Sequence, residues 1–353
     1  MVEKLRFGLV GCGVIGPFHA RALDSLPDVE LCAVTDCVAE RAQKLAGQHG
    51  ARAYTDLAEM LARESLDVVT ICTPSGLHGE HACQAMRAGK HVIVEKPMEI
   101  HPQAIEQMLR VQAEQQVKLA VISQHRFDPA VSQVRALVEE GAFGRLVLGN
   151  AIIPWWRSQG YYDSGTWRGT WELDGGGILM NQSIHYIDLL QWMMGPVSSI
   201  RAYSATLAHR IETEDVATAV LRFASGALGT ISATTGAYPG LAARLELLGA
   251  KGSAVIEGDE LSFLHLARSE QKAAGAYGAG RNVGKIERST SAPSAASDPA
   301  ALAWRSHALQ IADMVRALRE GGEPLINGHA GRQSVEIILG IYEAARTGQE
   351  VSL

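Results

Sequence analysis

Several features that would mark other protein classes are missing from this sequence. No apolar run reaches the roughly 18 residues that a membrane-spanning helix needs, and the first residues lead into a strand-like run without a signal-peptide core. The 32 Lys and Arg are outnumbered by 38 Asp and Glu, which leaves a formal net charge of −6. That balance gives no basic surface for nucleic acid or anionic lipid. We therefore expect a cytoplasmic protein with no nucleic-acid or membrane partner.

Cysteine is scarce as well, and its spacing argues against two kinds of small scaffold. The count is odd and no pair has the C-x-x-C spacing, so neither a disulfide framework nor a zinc ribbon is expected. We predict no metal. Small buried thiols in a reducing cytoplasm are expected instead, at Cys12, Cys32, Cys37, Cys72 and Cys83.

The residues that are present suit an ordinary globular protein of two domains. The chain has 353 residues, of which 47% are hydrophobic and 20% are charged, and a domain usually takes roughly 100–200 residues. The change of pattern described below places the predicted domains at 1–125 and 126–353.

Continuous apolar strands alternate with helices throughout the first domain. Strands are predicted at 7–10, 31–35, 68–72, 91–94 and 118–122, and helices at 17–26, 39–49, 57–63, 79–88 and 103–114. Strands without polar alternation belong to a parallel sheet that is buried on both faces. The pattern predicts an α/β fold, with an N-terminal doubly wound parallel sheet of the Rossmann type.

A glycine-rich turn follows the first strand and opens the first helix. In such a turn Gly11 permits the tight bend, Gly13 lets a pyrophosphate approach the backbone, and Gly16 allows helix to pack on strand. The N–H groups at the helix start then bind the phosphates. The predicted dinucleotide contacts of this turn are Gly11, Cys12, Gly13, Val14, Ile15 and Gly16.

Asp36 ends the second strand, twenty residues beyond Gly16. A carboxylate at this point accepts hydrogen bonds from the adenosine ribose and repels the 2′-phosphate of NADP. Since no arginine follows until Arg41, the sequence favours NAD(H) over NADP(H). The alternative is that the three glycines serve tight packing alone.

Three further strand ends are expected at the cofactor, because ligands of open α/β sheets lie outside the carboxyl ends of the strands. The cofactor contacts predicted on this ground are Thr73, Pro74, His78, Glu95, Lys96 and Gln124. Lys96 could instead be an ordinary surface lysine. His78 and His81 have the i, i+3 spacing of a metal pair, but nothing nearby offers a third ligand, so we expect His81 to cap or pack its helix.

The second half of the chain changes to strands of alternating polarity. They are predicted at 146–153, 200–207, 216–223, 228–234, 242–248 and 251–257. Without long helices between them, they indicate a C-terminal α+β domain with a large open, mostly antiparallel sheet. The Ala-, Ser- and Gly-rich stretch 269–299 is predicted to be a loop or excursion, and helices at 300–319 and 331–347 close the chain.

One segment of this domain carries polar residues on an apolar helix. Three glycines at 175–177 precede it and allow a close backbone approach. Asn181 and His185 are four residues apart and share a face, and Asp188 lies three residues further on. A polar stripe on such a helix is costly unless it is hydrogen-bonded. We therefore interpret His185 as a catalytic candidate, although a histidine satisfied in the core is the alternative.

Three sets of residues together resemble one enzyme family. They are G-x-G-x-x-G at 11–16, Glu95-Lys96-Pro97, and Gly175-Gly176-Gly177 followed by Asn181 and His185-x-x-Asp188. The chain resembles the glucose–fructose oxidoreductase, inositol dehydrogenase and MocA (Gfo/Idh/MocA) family over nearly its whole length. The resemblance implies a Rossmann domain followed by a domain whose open sheet often forms oligomer contacts. We therefore expect a homo-oligomer, either a dimer or a tetramer.

The same resemblance implies an NAD(P)-dependent enzyme that oxidises or reduces a ring hydroxyl of a sugar, inositol or sugar nucleotide. It makes Lys96 a catalytic or substrate-orienting residue and His185 the acid/base. Many members have Asp where Asn181 stands, and since Asn cannot carry a negative charge, Asn181 is expected to orient the substrate. In this hypothesis His185 removes the hydroxyl proton as hydride leaves for the nicotinamide, and Lys96 stabilises the alkoxide.

Aromatic residues and arginines are concentrated before the glycine run. Trp167 and Arg168 lead directly to the site helix and are predicted to contact substrate, as are Arg126, Asn181 and His185. Such rings pack against sugar faces or serve core and interface packing, and an arginine could meet a carboxylate or phosphate. Arg126 is proposed on topology alone.

Two other functions stay open at this point. One is the reduction of a non-sugar substrate on the same architecture, as in biliverdin reductase or dihydrodipicolinate reductase. The other is a non-catalytic NAD-binding regulator, which would keep Gly11, Gly13 and Asp36 without needing Lys96 and His185 together.

Overall fold

The computed structural model describes residues 3–267 and 304–353. By their internal contacts these residues form two compact units that interleave along the chain. The first unit takes in 3–124, Thr170–Gly175 and 304–335, and the second takes in His125–Gly169, 176–267 and Glu336–Leu353. The domain ranges 1–125 and 126–353 stay a prediction. The stretch 269–299, predicted as a loop, lies outside the described residues.

A six-stranded parallel sheet forms the centre of the first unit. Its strands are β1 (Leu5–Val10), β2 (Val29–Thr35), β3 (Arg52–Tyr54), β4 (Val68–Ile71), β5 (His91–Val94) and β6 (Leu119–Val121). They lie in the order β3-β2-β1-β4-β5-β6, and every neighbouring pair is parallel. The order reverses beyond β1, which is the switch point at which such sheets bind ligands.

Helices follow the strands of this sheet as the sequence pattern predicts. They are α1 (Gly16–Asp24), α2 (Ala39–His49), α3 (Leu57–Arg63), α4 (His78–Arg87) and α5 (Pro102–Gln115). Local signals start several of them. Pro17 stands at the beginning of α1, where its missing N–H costs nothing, and the Asp56 side chain caps α3 by accepting the Glu59 N–H at 2.7 Å.

An eight-stranded sheet forms the centre of the second unit. Its strands are β7 (Leu146–Pro154), β8 (Val197–Ala205), β9 (Val216–Phe223), β10 (Leu228–Thr234), β11 (Arg244–Gly249), β12 (Gly252–Glu257), β13 (Glu260–Leu266) and β14 (Val351–Ser352). The order is β13-β12-β11-β7-β10-β9-β8-β14. Only β7 and β10 run parallel. The sequence patterns did not predict β13 and β14.

Alternation along these strands buries one face of the sheet and leaves the other open. On β9, Ala217, Ala219 and Leu221 are buried while Thr218 and Val220 are exposed, as expected for a sheet packed on one side only.

The buried face of this sheet carries an apolar helix. The helices of the unit are α6 (Pro129–Glu139), α7 (Gln159–Asp163) and α8 (Ile184–Met194), and a π-helical turn, Ile178–Ser183, leads into α8. A Cβ on Gly149 would lie 2.7 Å from the Cγ of Met194. This glycine therefore lets α8 pack closely against β7.

Two helices, α9 (Trp304–Glu320) and α10 (Gly328–Thr347), end the helical part of the chain. Within the first unit, Gln310 of α9 donates from Nε2 to the Val121 carbonyl at 2.7 Å and accepts the Ser123 N–H at 3.0 Å. These two bonds hold the end of β6 and the loop that follows it against α9.

The predicted fold class is confirmed. A parallel Rossmann-type sheet is followed by a mostly antiparallel open sheet. The limits of the strands and helices that were predicted agree to within a few residues, whereas the sequence patterns do not predict β3, α6 and α7. Among the described residues, no helix combines the length and the apolar character that crossing a membrane requires.

Candidate active site

The glycine turn has the geometry that a dinucleotide requires. Gly11 has φ +95°, and a Cβ there would lie 2.6 Å from the Cys72 carbonyl oxygen. A Cβ on Gly16 would collide with the Gly11 carbonyl oxygen, whereas one on Gly13 would meet nothing within 4 Å. The outer glycines are thus required by the turn itself. Gly13 faces open space, which is the room that a pyrophosphate needs above the backbone.

Asp36 is tied to this turn. Its Oδ2 accepts the Cys12 N–H at 2.8 Å and its Oδ1 accepts the Val38 N–H at 2.8 Å. Oδ2 retains a second lone pair for a ribose hydroxyl, while the Cys37 thiol lies 3.8 Å from Oδ1. Cys37 is exposed, so the expectation that all five cysteines are buried is wrong at this position, because Cys37 lies in the turn beyond β2 and not within the sheet.

Histidines fix the turn that follows β4. The buried ring of His78 lies between two carbonyl oxygens, with Nδ1 2.7 Å from that of Pro97 and Nε2 2.8 Å from that of Thr73, and a neutral ring donates to one of the two. His81 Nδ1 lies 3.2 Å from Thr73 Oγ1. Burial lowers the pKa of both histidines and so favours their neutral forms. Both rings thereby hold Thr73 in position.

Lys96 follows a buried polar cluster formed by Glu95, His19 and His307. The preceding residue, Glu95, accepts from His19 Nε2 at 2.8 Å, and His307 Nε2 lies 3.4 Å from the same oxygen. Although burial by itself raises the pKa of Glu95, hydrogen bonds and charge from the two histidines hold it well below the usual range. The Lys96 N–H reaches Glu95 Oε2 at 3.1 Å. An ionised carboxylate therefore fixes the backbone from which Lys96 extends.

Gln124 follows β6 and is 4% exposed. Among the described residues, its Oε1 has no hydrogen-bond partner. A buried acceptor without a donor is costly. This orphaned atom suits a contact with a donor of a bound ligand, such as a carboxamide N–H.

In the second unit, Glu214 closes the start of the segment that carries Asn181 and His185. Its Oε2 accepts the Gly177 N–H at 2.9 Å, and its Oε1 accepts the Leu179 N–H at 2.9 Å. Its own carbonyl accepts the Ile178 N–H at 3.1 Å. Three successive backbone donors are thus satisfied by one residue, which fixes where the π-helical turn begins.

The glycine run exists because of this arrangement. A Cβ on Gly177 would overlap the Glu214 carbonyl oxygen, and one on Gly176 would overlap the Tyr342 hydroxyl oxygen. Tyr342 also donates to Glu214 Oε1 at 3.0 Å. Gly177 and Gly176 therefore allow a backbone carbonyl and a phenol to approach closely where any side chain would exclude them.

His185 is buried beside a second histidine. The ring centroids of His185 and His125 are 5.0 Å apart and the rings meet at 78°. His125 Nδ1 lies 2.6 Å from Asp128 Oδ2, and Asp259 is 3.8 Å from the same nitrogen. Although burial lowers the pKa of His125, its bond to Asp128 and the nearby carboxylates raise it overall. Sequence reasoning missed this neighbour.

Arg126 forms a buried bidentate pair with Asp188. Nε and Nη2 lie 2.8 and 2.6 Å from the two carboxylate oxygens, and the guanidinium carbon lies 4.8 Å from the centroid of the Trp192 ring. The pair uses two of the five guanidinium donors and anchors Arg126 to α8. Its contact with substrate stays a prediction.

Arg168 and Trp167 lie together with two further residues. The Arg168 guanidinium carbon is 4.6 Å from the Trp167 ring centroid and 4.5 Å from that of Tyr161. The Tyr161 hydroxyl accepts from Arg168 at 2.8 Å and from Gln182 Nε2 at 3.2 Å. Since Gln182 follows Asn181 directly, the aromatic segment touches the site helix.

The structure thus gathers the predicted residues into two groups. The first group lies at the carboxyl ends of strands in the first unit and consists of Gly11–Gly16, Asp36, Thr73, Lys96 and Gln124. The second group lies in the second unit and consists of Asn181, His185 and Arg168. The convergence of Lys96 and His185 on one substrate stays a prediction. Buried and half-buried residues that the sequence did not single out support both groups, namely His19, His307, His125, Asp128, Glu214 and Tyr342.

The pH dependence of stability tests the role of Glu214. Burial raises the pKa of Glu214 from 4.5 to about 7, against the lowering effect of its backbone and Tyr342 donors. The folded protein therefore holds this proton more tightly than the unfolded chain. The resulting stabilisation is complete below pH 4.5 and is lost as the pH rises through 7, a change of roughly 3 kcal/mol.

Because Glu214→Gln cannot ionise, we expect the melting temperature of the wild type to fall by several degrees relative to this variant between pH 5 and pH 8. Thermal unfolding at both pH values measures the difference. The control is Glu140→Gln, a change at an exposed carboxylate. A wild-type-to-E214Q difference that stays constant with pH would contradict the assignment.

Comparisons with known proteins agree with this geometry. A family model described as an oxidoreductase family with an NAD-binding Rossmann fold matches residues 5–123, and one for the GFO/IDH/MocA C-terminal domain matches 131–255. The chain is 35% identical to the WlbA dehydrogenase from Bordetella pertussis, whose structure contains NADH and UDP-GlcNAcA, with a TM-score of 0.86 over 99% of both chains.

Two further relatives cover about three quarters of the chain. An inositol 2-dehydrogenase from Rhizobium meliloti is 29% identical over 272 residues, which is 75% of this chain and 79% of that protein. An uncharacterized oxidoreductase from Synechocystis is 30% identical over 277 residues, 74% of each protein. The chain therefore belongs to the Gfo/Idh/MocA family of oxidoreductases, and its first part is the NAD-binding Rossmann domain of that family.

Proposed function

We propose that this protein is an NAD-dependent dehydrogenase that interconverts a ring hydroxyl and a ketone on a nucleotide-linked sugar. The observation that carries the choice of substrate is the similarity to two dehydrogenases with bound NADH and UDP-GlcNAcA, at 35% and 34% identity over 99% of this chain. The inositol 2-dehydrogenase from Rhizobium meliloti matches at 29% over 75% of the chain. Free inositols and sugars are therefore the second candidate substrates.

Residues of the first unit would hold the dinucleotide. A Cβ on Gly13 would meet nothing within 4 Å, which leaves room for the pyrophosphate above the backbone. Asp36 offers acceptors to the ribose, and Gln124 offers the unsatisfied Oε1. Thr73, Pro74 and His78 form the ordered turn beside them. The bound nicotinamide supplies the hydride acceptor of such a reaction.

The chain's own residues handle the proton and the charge. His185 is proposed to take the proton of the substrate hydroxyl, because an imidazole accepts and releases protons near neutral pH. The Lys96 ammonium would stabilise negative charge on the same oxygen. Asn181, on the same segment as His185, can donate and accept hydrogen bonds but cannot hold a charge, so it orients the substrate.

The protein is also proposed to be a cytoplasmic homo-oligomer. All five cysteines lie in the described residues and are free thiols, which agrees with a reducing compartment. On the open face of the eight-stranded sheet, Tyr203, Val220 and Leu228 are 81%, 56% and 45% exposed. Apolar residues clustered on one face commonly mark a protein contact.

Single substitutions test the two catalytic assignments. We expect His185→Ala and Lys96→Ala each to lower kcat by about 100-fold or more, because each removes a group that acts on the reacting oxygen. Turnover of UDP-N-acetylglucosamine, its uronate and myo-inositol at saturating NAD is followed by NADH absorbance. Exposed His101→Ala and Lys44→Ala are the controls. Near-wild-type turnover in either site variant would remove that residue from the scheme, and NAD binding without any wild-type turnover would favour a regulator.

Cofactor choice is tested at Asp36. Asp36→Asn keeps an oxygen for the Cys12 N–H but removes the negative charge that repels a 2′-phosphate. We expect the ratio of kcat/KM for NADP to kcat/KM for NAD to rise about 10-fold. Initial rates with both cofactors measure it, with Asp24→Asn on the exposed side of α1 as control. An unchanged ratio would mean that Asp36 does not face the ribose.

Assembly is tested by a charge on the open sheet face. Val220→Lys places a further ammonium at the middle of the open face, between Arg201 of β8 and Thr230 of β10. We expect it to convert the oligomer to a smaller species, because burying an unpaired charge at an interface is costly. Light scattering after gel filtration gives the mass. Leu325→Lys, an exposed leucine of the first unit, is the control. A monomeric wild type would refute the proposed assembly.

A further inference from the structure

Two arginines of the second unit lie against a single tyrosine ring. The guanidinium carbons of Arg157 and Arg168 are 5.5 and 4.5 Å from the centroid of Tyr161. Each also lies against a tryptophan, Arg157 at 5.2 Å from the Trp155 centroid and Arg168 at 4.6 Å from that of Trp167. Cation–π contacts with three aromatic rings thus place two guanidinium groups around Tyr161.

Arg168 lacks a counter-ion within the described part of the chain. Its polar contact there is the neutral Tyr161 hydroxyl, and no carboxylate of the described residues lies within ion-pair distance of it. Other arginines of the unit do have such partners, since Arg126 pairs with Asp188 and Arg135 with Glu139. The guanidinium of Arg168 therefore retains donors that water or a ligand must satisfy.

Arg157 adds a buried charge to this region. The residue is 5% exposed, and its carbonyl oxygen is fixed by His209 Nε2 at 2.8 Å. Burial lowers the pKa of Arg157, and the nearby Arg168 charge lowers it further. Two like charges near one ring destabilise each other, and an anion placed near both would relieve the repulsion.

A buried amide lies at the same place. Gln182 is 4% exposed, its Nε2 donates to the Tyr161 hydroxyl at 3.2 Å, and its Oε1 has no partner among the described residues. An unsatisfied acceptor at this depth suits a ligand hydroxyl or amide N–H. Because Gln182 follows Asn181, a ligand held here would lie beside the helix that carries His185.

We propose that Arg157 and Arg168, arranged around Tyr161, bind an anionic group of the substrate while Gln182 accepts a hydrogen bond from a neighbouring polar group. The inference rests on the proposed function and excludes the uncharged inositols and sugars from the candidate substrates. The guanidinium fork matches the planar oxygens of a carboxylate and the oxygens of a phosphate. The anion is therefore either a sugar carboxylate or the phosphate of a nucleotide-linked sugar.

Kinetic analysis of Arg168→Gln tests the proposal. Four ligands separate the two sources: UDP-N-acetylglucosamine carries phosphate alone, glucuronate carboxylate alone, UDP-glucuronate both, and methyl glucoside neither. We expect KM for the anionic ligands that the enzyme uses to rise about 10- to 100-fold, because a charge-assisted hydrogen bond is lost. We expect kcat to change less than about threefold, because the anion is bound equally in the ground state and the transition state. Arg168→Lys, which keeps the charge but not the fork, should give an intermediate KM.

The pattern of losses identifies the anion. A loss confined to the UDP ligands assigns the site to phosphate, and one confined to the uronates assigns it to carboxylate. Arg63→Gln, at an exposed arginine of α3, is the charge-matched control. An unchanged KM for every anionic ligand, or an equal rise for methyl glucoside, would overturn the proposal.

Binding without turnover separates this inference from the proposed function. Calorimetric titration of UDP-glucuronate and of glucuronate into the NADH-loaded protein gives Kd directly for the wild type and for Arg168→Gln. If the wild type turns over none of the ligands but binds one of them at least 10-fold more tightly than the variant, the anion site stands while the proposed reaction fails. Equal Kd values in the two proteins, or no binding to the wild type, would refute the site whatever the activity.

Discussion

Buried carboxylates fix the two segments that carry the candidate catalytic side chains. Glu95 holds the end of β5, from which Lys96 extends, through two histidines and a backbone N–H. Glu214 holds the segment of Asn181 and His185 through three N–H groups and a phenol. A buried charge without such partners would cost several kcal/mol. The positions of both segments therefore depend on these polar networks as well as on apolar packing.

The two networks differ in how they balance burial. At Glu95, imidazoles outweigh desolvation and keep the carboxylate ionised. At Glu214, neutral donors do not fully compensate, and the pKa is raised to about 7. A proton can thus be gained or lost beneath the site helix within the physiological range, whereas the support of Lys96 keeps one charge state throughout.

Much of the fold follows from short-range sequence patterns. The limits of α2 and α3 agree with the helices predicted at 39–49 and 57–63, because a 3.6-residue period and local start signals determine them. The glycine turn and Asp36 can likewise be predicted from the sequence, since one strand–turn–helix unit sets their spacing. By contrast, β14 pairs Val351 with Ile200, a residue far earlier in the chain. A strand of two residues is also too short to show an alternating pattern.

The supporting residues of the site could not be predicted in the same way. Glu214 contacts Gly177 from 37 positions away, and the sequence gives no local reason for that approach. The one available signal is Thr213-Glu214-Asp215, a polar triplet before an alternating strand, which proves to be buried throughout. No sequence pattern links His125 to Asp128. Only the folded chain brings His125 into contact with both Asp128 and His185.

The exposed thiol of Cys37 has a practical consequence. It stands one residue beyond Asp36, with its sulfur 3.8 Å from the carboxylate, while the other four cysteines are buried. Burial also raises the pKa of Cys12 to about 12, which suppresses its reactive thiolate. A maleimide dye would therefore attach at a single native position, and its fluorescence would report adenosine occupancy in the unmodified sequence.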